Sequence, residues 1–330
     1  MKACVLKGNE DLSCQEVENP IPAENEVLIK VKACGICSSD FARCFNNGAY
    51  FYPLILGHEF AGELVSGKNA GSHAVVFPLL PCFKCDACRQ KEYARCSDYK
   101  YFGSRCNGGM AEYVAVPEWN TKVIPTSLDF SVAALCEPTA VAVHSLKKLG
   151  DISNKSLCVC GSGTIGILCG LLAEKRGASV TFSLRNNHKK NFLESLGFSS
   201  FIYDADNQRL FNCVIECVGS VASINTAVKI TEPGGKIVFV GNPEQDIVFS
   251  KEIYWKILRR ELSISGTWNS SYKNDSVDDW DTAIDFLSNN QCLVKRLITD
   301  RFSLDDGMSA FISMKDSNRL HIKGVFINEK

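Results

Sequence analysis

Apolar and polar positions alternate in short runs through the first third of the chain. Val27-Leu28-Ile29-Lys30-Val31-Lys32-Ala33 reads as a strand closed by Cys34-Gly35. Ala74-Val75-Val76-Phe77 and Ala111-Glu112-Tyr113-Val114-Ala115-Val116-Pro117 read as two more. Gly and Pro punctuate these runs at short intervals, which predicts a barrel-like β domain. The text changes near Ser127. Ser131 to Leu149 has helical spacing, and continuous apolar runs then alternate with helical ones: Ser156–Cys160, Ser179–Leu184, Phe201–Tyr203, Cys213–Val218 and Lys236–Val240. Strands alternating with helices predict right-handed βαβ units around a doubly wound parallel sheet. The tail returns to β-like text in His321-Ile322-Lys323-Gly324-Val325-Phe326 and is expected to rejoin the first domain. The expected division is therefore 1–128 with 295–330, against 129–294.

Size agrees with two domains, since 330 residues exceed what one ordinary core supports. Hydrophobic content of 45% and charged content of 22% are those of a globular chain in water. The net charge of −1 comes without a basic block or acidic tail, which argues against nucleic acid and anionic membrane as partners. No apolar run reaches the length of a membrane span, and Met1-Lys2-Ala3-Cys4-Val5 reads as a strand start, not a secretory signal. The 17 cysteines then read as reduced thiols of a cytoplasmic protein, a minority of them on metal.

Two cysteine-containing constellations carry metal chemistry. Cys82, Cys85, Cys88 and Cys96 sit at spacings of three, three and eight in a segment with Lys84, Asp86, Arg89, Gln90, Lys91 and Glu92, a polar surface loop. Four thiolates at such spacings close a tetrahedral Zn²⁺ site with no spare ligand, which is structural. The second constellation leaves a position open. Cys37, His58 and Glu137 offer one thiolate, one imidazole and one carboxylate, the pattern of catalytic zinc with a fourth position for water or substrate. Cys136 is the rival to Glu137. Asp40 is placed to orient the His58 ring, and Glu59 adjoins a ligand and can enter the coordination sphere on exchange. Two Zn²⁺ per subunit are expected.

Gly161-Ser162-Gly163-Thr164-Ile165-Gly166 is a G-x-G-x-x-G after a predicted strand and before a predicted helix, a dinucleotide fingerprint. Thr164, Ile165 and Gly219, the last just past a later strand, complete the expected cofactor set. The second strand ends in Ser183-Leu184-Arg185, with no Asp or Glu to hold the ribose 2′-hydroxyl of NAD. Ser183, Arg185 and Lys189 suit a 2′-phosphate, so NADP(H) is expected over NAD(H).

These constellations, in this order, resemble the zinc-dependent medium-chain alcohol dehydrogenases over essentially the whole chain. The acid in Cys136-Glu137-Pro138 resembles the polyol dehydrogenase branch. Asn47-Gly48-Ala49-Tyr50 through His58-Glu59, Phe102-Gly103-Ser104-Arg105, and the run from Lys256 to Tyr272 are similar to its polyol-phosphate members. The resemblance implies a GroES-like β-barrel catalytic domain, a Rossmann domain, an active site in the cleft between them, and hydride transfer between a nicotinamide and a secondary alcohol. It departs from the family in the short stretch between Gly62 and Phe77. It also departs at Ala42 and Arg43, where a relay histidine often stands. Ser39 is the candidate first proton acceptor. A phosphorylated substrate needs cations, and Arg43, Arg105, Lys256, Arg259 and Arg260 are candidates. Tyr50 and Trp268 are candidate walls for a sugar chain. The partner is then a small polyol or polyol phosphate, and a homodimer or homotetramer is expected.

Overall fold

The computed structural model describes residues 1–203 and 209–328. Its strands in chain order are β1 (Lys2–Gly8), β2 (Asp11–Glu16), β3 (Glu26–Gly35), β4 (Leu54–Ile55), β5 (Glu59–Leu64), β6 (His73–Val76), β7 (Leu79–Leu80), β8 (Lys100–Tyr101), β9 (Tyr113–Pro117) and β10 (Thr121–Val123). There follow β11 (Ser156–Cys160), β12 (Ser179–Leu184), β13 (Ser199–Ile202), β14 (Phe211–Glu216), β15 (Thr231–Phe239) and β16 (Ser263–Gly266), then β17 (Ile298–Phe302) and β18 (Lys323–Ile327). The chain divides into two compact units: Met1–Glu137 together with the chain from Ser271 onward, and Pro138–Ser270.

The first unit is built on a sheet ordered β10-β6-β5-β3-β18-β17, with β9 also pairing β3, and a smaller sheet β2-β1-β4. Along β3, Val27, Ile29, Val31 and Ala33 are buried while Leu28, Lys30 and Lys32 are half-exposed, the two-residue period of a strand with one face on a core. Leu6, Ile29, Leu54, Leu56, Phe60 and Phe326 fill that core. The tail does rejoin this unit: β18 lies antiparallel to β3, with Val325 opposite Gly35 and Ile327 opposite Ala33.

The second unit is a six-stranded parallel sheet ordered β13-β12-β11-β14-β15-β16. Counted from β11 this is 3-2-1-4-5-6, the Rossmann order, whose strand direction of travel reverses between β11 and β14. Ligands of such sheets bind beyond the carboxyl ends of the strands at that reversal, which here are Cys160 and Glu216.

Two features differ from expectation. The stretch expected as one helix over 131–149 is a short helix, Phe130–Ala133, then a long one, Cys136–Leu149. Pro138 is tolerated in the first turn of the long helix but could not continue an earlier one, because it lacks the N–H. The unit boundaries also differ. Residues 129–137 and 271–294 belong to the first unit, because their side chains are built into it. Phe130 packs on His73, ring centroids 4.3 Å apart. Tyr272 stacks flat on Phe77 at 4.4 Å, edge-on to Trp119 and Trp280, and its hydroxyl donates to the Trp119 carbonyl at 2.8 Å. Trp280 and Tyr272 are each 1% exposed, and burying each is worth about 1.5–3 kcal/mol or more. That gain anchors the segment after Ser271. Among the described residues no helix is long and apolar enough to cross a membrane.

Candidate functional site

The end of β3 and the start of β5 present the chemistry of the first unit. Gly35 lies opposite Glu59 in the ladder, and a Cβ at position 35 would run into the Glu59 carboxylate and the Lys323 stem. Gly57 holds φ +94°, which a side chain would strain, and turns the chain so that His58 and Glu59 point inward. Cys37 precedes the short helix Ser38–Phe41, whose Asp40 Oδ2 accepts from the Cys37 backbone N–H at 3.0 Å.

Ligand atoms of Cys37, His58 and Glu59 lie within 4.8 Å of one another, the spacing of a shared metal ion. Asp40 sits behind His58, Oδ1 to Nδ1 at 3.6 Å, and is fully buried. With Nδ1 turned to Asp40, Nε2 is left to ligate. Burial raises the Asp40 carboxyl, but the charges of His58 and Arg43 and the Cys37 N–H outweigh it and hold its pKa below the usual range. Burial likewise works against a charged His58, yet Asp40 and Cys37 outweigh it and raise its pKa well above the ordinary value. The cluster thus favours positive charge at its centre, which a divalent ion would supply. Glu59 in turn pairs with buried Lys323, whose Nζ also donates to the Ile36 carbonyl at 3.0 Å.

Glu137, expected as a ligand, stands just outside this set. Its Oε1 accepts from the Tyr101 hydroxyl at 3.1 Å. Burial lifts its pKa to about 7, opposed by the His58 charge and assisted by that of Glu59. Glu59, expected as the exchangeable neighbour, is the carboxylate whose oxygen lies within that spacing. The reason is geometric: successive strand residues point to opposite faces, but the turn at Gly57 lets His58 and Glu59 converge. Cys136, the rival ligand, is buried and outside the set, its thiol raised well above the usual pKa by burial. Ser39 is half-buried one residue before Asp40, and its carbonyl accepts from Arg43 Nη1 at 2.9 Å. Tyr101 and Lys323 were not foreseen; a lysine inside the apolar run Ile322–Ile327 was the available signal.

The proposed substrate residues separate. The Arg105 guanidinium lies between two rings, 4.3 Å from the Tyr50 centroid and 4.5 Å from that of Tyr99. Tyr99 neighbours Tyr101 at 6.4 Å, and Tyr101 neighbours His58 at 5.5 Å, so a tyrosine series links Arg105 to the metal-binding set. Arg43 is turned inward, to the Ser39 carbonyl and to Asp40 at 3.9 Å. Arg260 Nη1 donates to the carbonyls of Lys229 and Thr231 at 2.8 and 2.6 Å and so secures a helix end. Lys256 pairs with Glu252 at 3.6 Å, and Arg259 stacks on Trp255 at 4.1 Å. Trp268 belongs to the second unit and is exposed.

Cys82, Cys85, Cys88 and Cys96 form the other convergent set. Cys82 Sγ lies 3.9 Å from Cys88 Sγ, close to the edge of about 3.8 Å that a Zn–S distance near 2.3 Å imposes on a tetrahedron. Backbone N–H groups of Ser97 and Cys88 lower the Cys85 thiol to about 6, while burial raises Cys88 to about 12. No cysteine is in a disulfide.

In the second unit, Gly161 turns β11 into the helix Thr164–Lys175 at φ +109°. A Cβ at Gly166 would collide with the Gly161 carbonyl, so close helix–strand packing requires glycine there. A Cβ at Gly163 would meet nothing within 4 Å, the space a pyrophosphate needs. Gly163 is the N-cap and offers no side chain to the first turn, leaving that end of the helix to an anion. Thr164 and Ile165 open the helix, and Lys189 Nζ reaches back to the Ser162 carbonyl at 3.4 Å. Buried Glu216 ends β14 and accepts from the Val218 and Gly219 N–H groups at 2.8 and 3.0 Å. Ser183 is buried at the end of β12 and Arg185 is exposed just past it. The residues present fit a dinucleotide.

Residues 23–126 match the model of the alcohol dehydrogenase GroES-like domain, and residues 164–289 that of zinc-binding dehydrogenases. The chain is 32% identical over 303 residues to galactitol 1-phosphate 5-dehydrogenase of Escherichia coli K12, covering 86% of this chain and 88% of that protein. It is 29% identical over 344 residues to L-galactonate-5-dehydrogenase of the same organism, covering 98% of each. The crystal structure of E. coli galactitol-1-phosphate dehydrogenase superposes with a TM-score of 0.90 at 30% identity, over 99% of this chain and 100% of that one. A zinc-binding dehydrogenase from Sinorhizobium meliloti, solved with NADP bound, superposes with a TM-score of 0.87 at 26% identity, over 99% of each chain. The two family models and the likeness in sequence and fold to these dehydrogenases show the family: the chain belongs to the zinc-dependent medium-chain alcohol dehydrogenases.

Proposed function

We propose that the protein oxidises a secondary hydroxyl of a polyol phosphate to the ketone and passes the hydride to NADP, with galactitol 1-phosphate giving tagatose 6-phosphate as the first choice of substrate. The observation that carries the oxidation is the Cys37–His58–Glu59 set, with His58 and Glu59 buried and Asp40 behind it. Cys37, His58 and Glu59 hold the catalytic zinc, and Cys82, Cys85, Cys88 and Cys96 the structural one. Bound in the first set, zinc supplies Lewis acidity that lowers the pKa of a coordinated hydroxyl. Ser39 accepts the hydroxyl proton and passes it to water. Asp40 fixes the His58 ring, and Lys323 fixes Glu59. Glu137, held by Tyr101, stands beside the set as the carboxylate that can enter it on ligand exchange.

The phosphate is assigned to Arg105, with Tyr50 as a wall. Support comes from its ring-stacked guanidinium, preorganised for a bidentate contact, and from the likeness to a polyol-phosphate enzyme. Arg105→Ala is expected to raise KM for the phosphorylated substrate roughly 10- to 100-fold, the value of a charge-assisted hydrogen bond, with kcat little changed. An equal loss on galactitol and on its phosphate would remove Arg105 from phosphate recognition.

A panel of galactitol 1-phosphate, ribitol 5-phosphate, sorbitol and galactitol, each with NADP and NAD, tests the whole assignment by the absorbance of the reduced nicotinamide. The phosphorylated hexitol is expected to have the highest kcat/KM. Equal turnover of sorbitol would move the protein to the unphosphorylated polyols, and no turnover with a full zinc complement would make it a nucleotide-binding protein without this activity.

A further inference from the structure

A cavity of about 570 Å³ lies in the first unit and shares no residue with the metal-binding sets or with the Arg105 stack. Its size is that of small-molecule sites. Lys32 of β3 and Arg301 of β17 line it, facing the run 126–131 and the helix Gln291–Lys295. Among the described lining residues the charged ones are Lys32, Lys295 and Arg301, with Asp129 as the acid. That acid is already engaged. Asp129 accepts from the Ser131 N–H at 2.8 Å and hydroxyl at 2.6 Å, and pairs with Lys295 at 2.7 Å. It therefore positions Lys295 and leaves Arg301 unneutralised.

Arg301 makes a single neutral contact, Nη2 to the Ser131 hydroxyl at 3.3 Å, and among the described residues no carboxylate pairs with it. His73 also lines the cavity; its ring packs on Phe130, and its buried Nδ1 has no hydrogen-bond partner. A guanidinium fork, the Lys295 ammonium and serine hydroxyls around one space are the donors that a phosphate monoester takes up, with the fork matching two of its oxygens.

We propose that this cavity is a second, non-catalytic site for a small phosphorylated metabolite, with Arg301 and Lys295 around the phosphate. The site is independent of the substrate assignment above. Zinc-loaded crystals soaked in tungstate, an anomalously scattering mimic of phosphate, are expected to show a peak within reach of Arg301 and Lys295. Calorimetric titration with inorganic phosphate is done in an Arg105→Ala background, which silences the substrate-side cation. There, adding Arg301→Gln is expected to weaken binding roughly tenfold or more, while Arg301→Gln alone leaves turnover unchanged. A cavity without a tungstate peak, or equal phosphate affinity with and without Arg301, overturns the assignment.

Discussion

Replacement of Cys37 by alanine is expected to leave one zinc per subunit instead of two and to lower kcat/KM about 10³-fold or more. Lewis-acid stabilisation of the developing oxygen charge is worth several kcal/mol, and about 4 kcal/mol corresponds to that factor. The remaining ion stays with Cys82, Cys85, Cys88 and Cys96, which share no residue with the first set. The fold should persist, because the bond from Cys37 to Asp40 uses the backbone N–H, which alanine keeps. The carboxylates then divide the roles. Glu59→Gln is expected to follow Cys37→Ala in zinc content, while Glu137→Gln keeps both ions and loses turnover only. Measured by metal analysis of purified protein, a Glu137→Gln variant with a single zinc would return Glu137 to the coordinating set and displace Glu59. Two zincs in Cys37→Ala would remove the metal centre from this place altogether.

What could be foreseen in the sequence was whatever depends on short segments. The β11 strand with Gly161, Gly163 and Gly166 is local, because tight turn, anion approach and close packing act within six residues. The four-cysteine loop is local too. The return of the tail as β18 was legible because a β-like run after a helical stretch needs a sheet to join. The placement of Glu59 and Glu137 relative to Cys37 and His58 was not legible. Where Glu59 lies depends on the turn at Gly57 and on Lys323, which arrives on β18 from the far end of the chain. The boundary near residue 271 was hidden for a similar reason. Tyr272 and Trp280 look like ordinary apolar residues until Phe77 and Trp119 are placed against them. Nor does anything near Arg260 in sequence announce that its guanidinium closes the end of the helix Val221–Ile230.

Cofactor choice rests on the end of β12, and Arg185→Ala is expected to lower kcat/KM with NADP roughly 10- to 100-fold while leaving NAD nearly unaffected. A charged hydrogen bond to the 2′-phosphate is worth about 1.5–3 kcal/mol, and NAD has no group to lose it. The position is suited to this. Asn186 accepts from the His188 N–H at 3.1 Å and so shapes the turn that follows, which places Arg185 at its exposed edge beside buried Ser183. Lys189 lies over the pyrophosphate turn, half-buried, with burial lowering its pKa and no carboxylate among its described contacts; an anion from the cofactor would supply the missing charge. Ser183→Asp in the Arg185→Ala background should then reverse the preference, since an acid there accepts from the ribose 2′-hydroxyl of NAD and repels a 2′-phosphate. Steady-state kinetics with both nucleotides decide the matter: an unaltered protein that strongly prefers NAD, or an Arg185→Ala protein that uses NADP as well as before, means that this arginine is only a solvated surface charge.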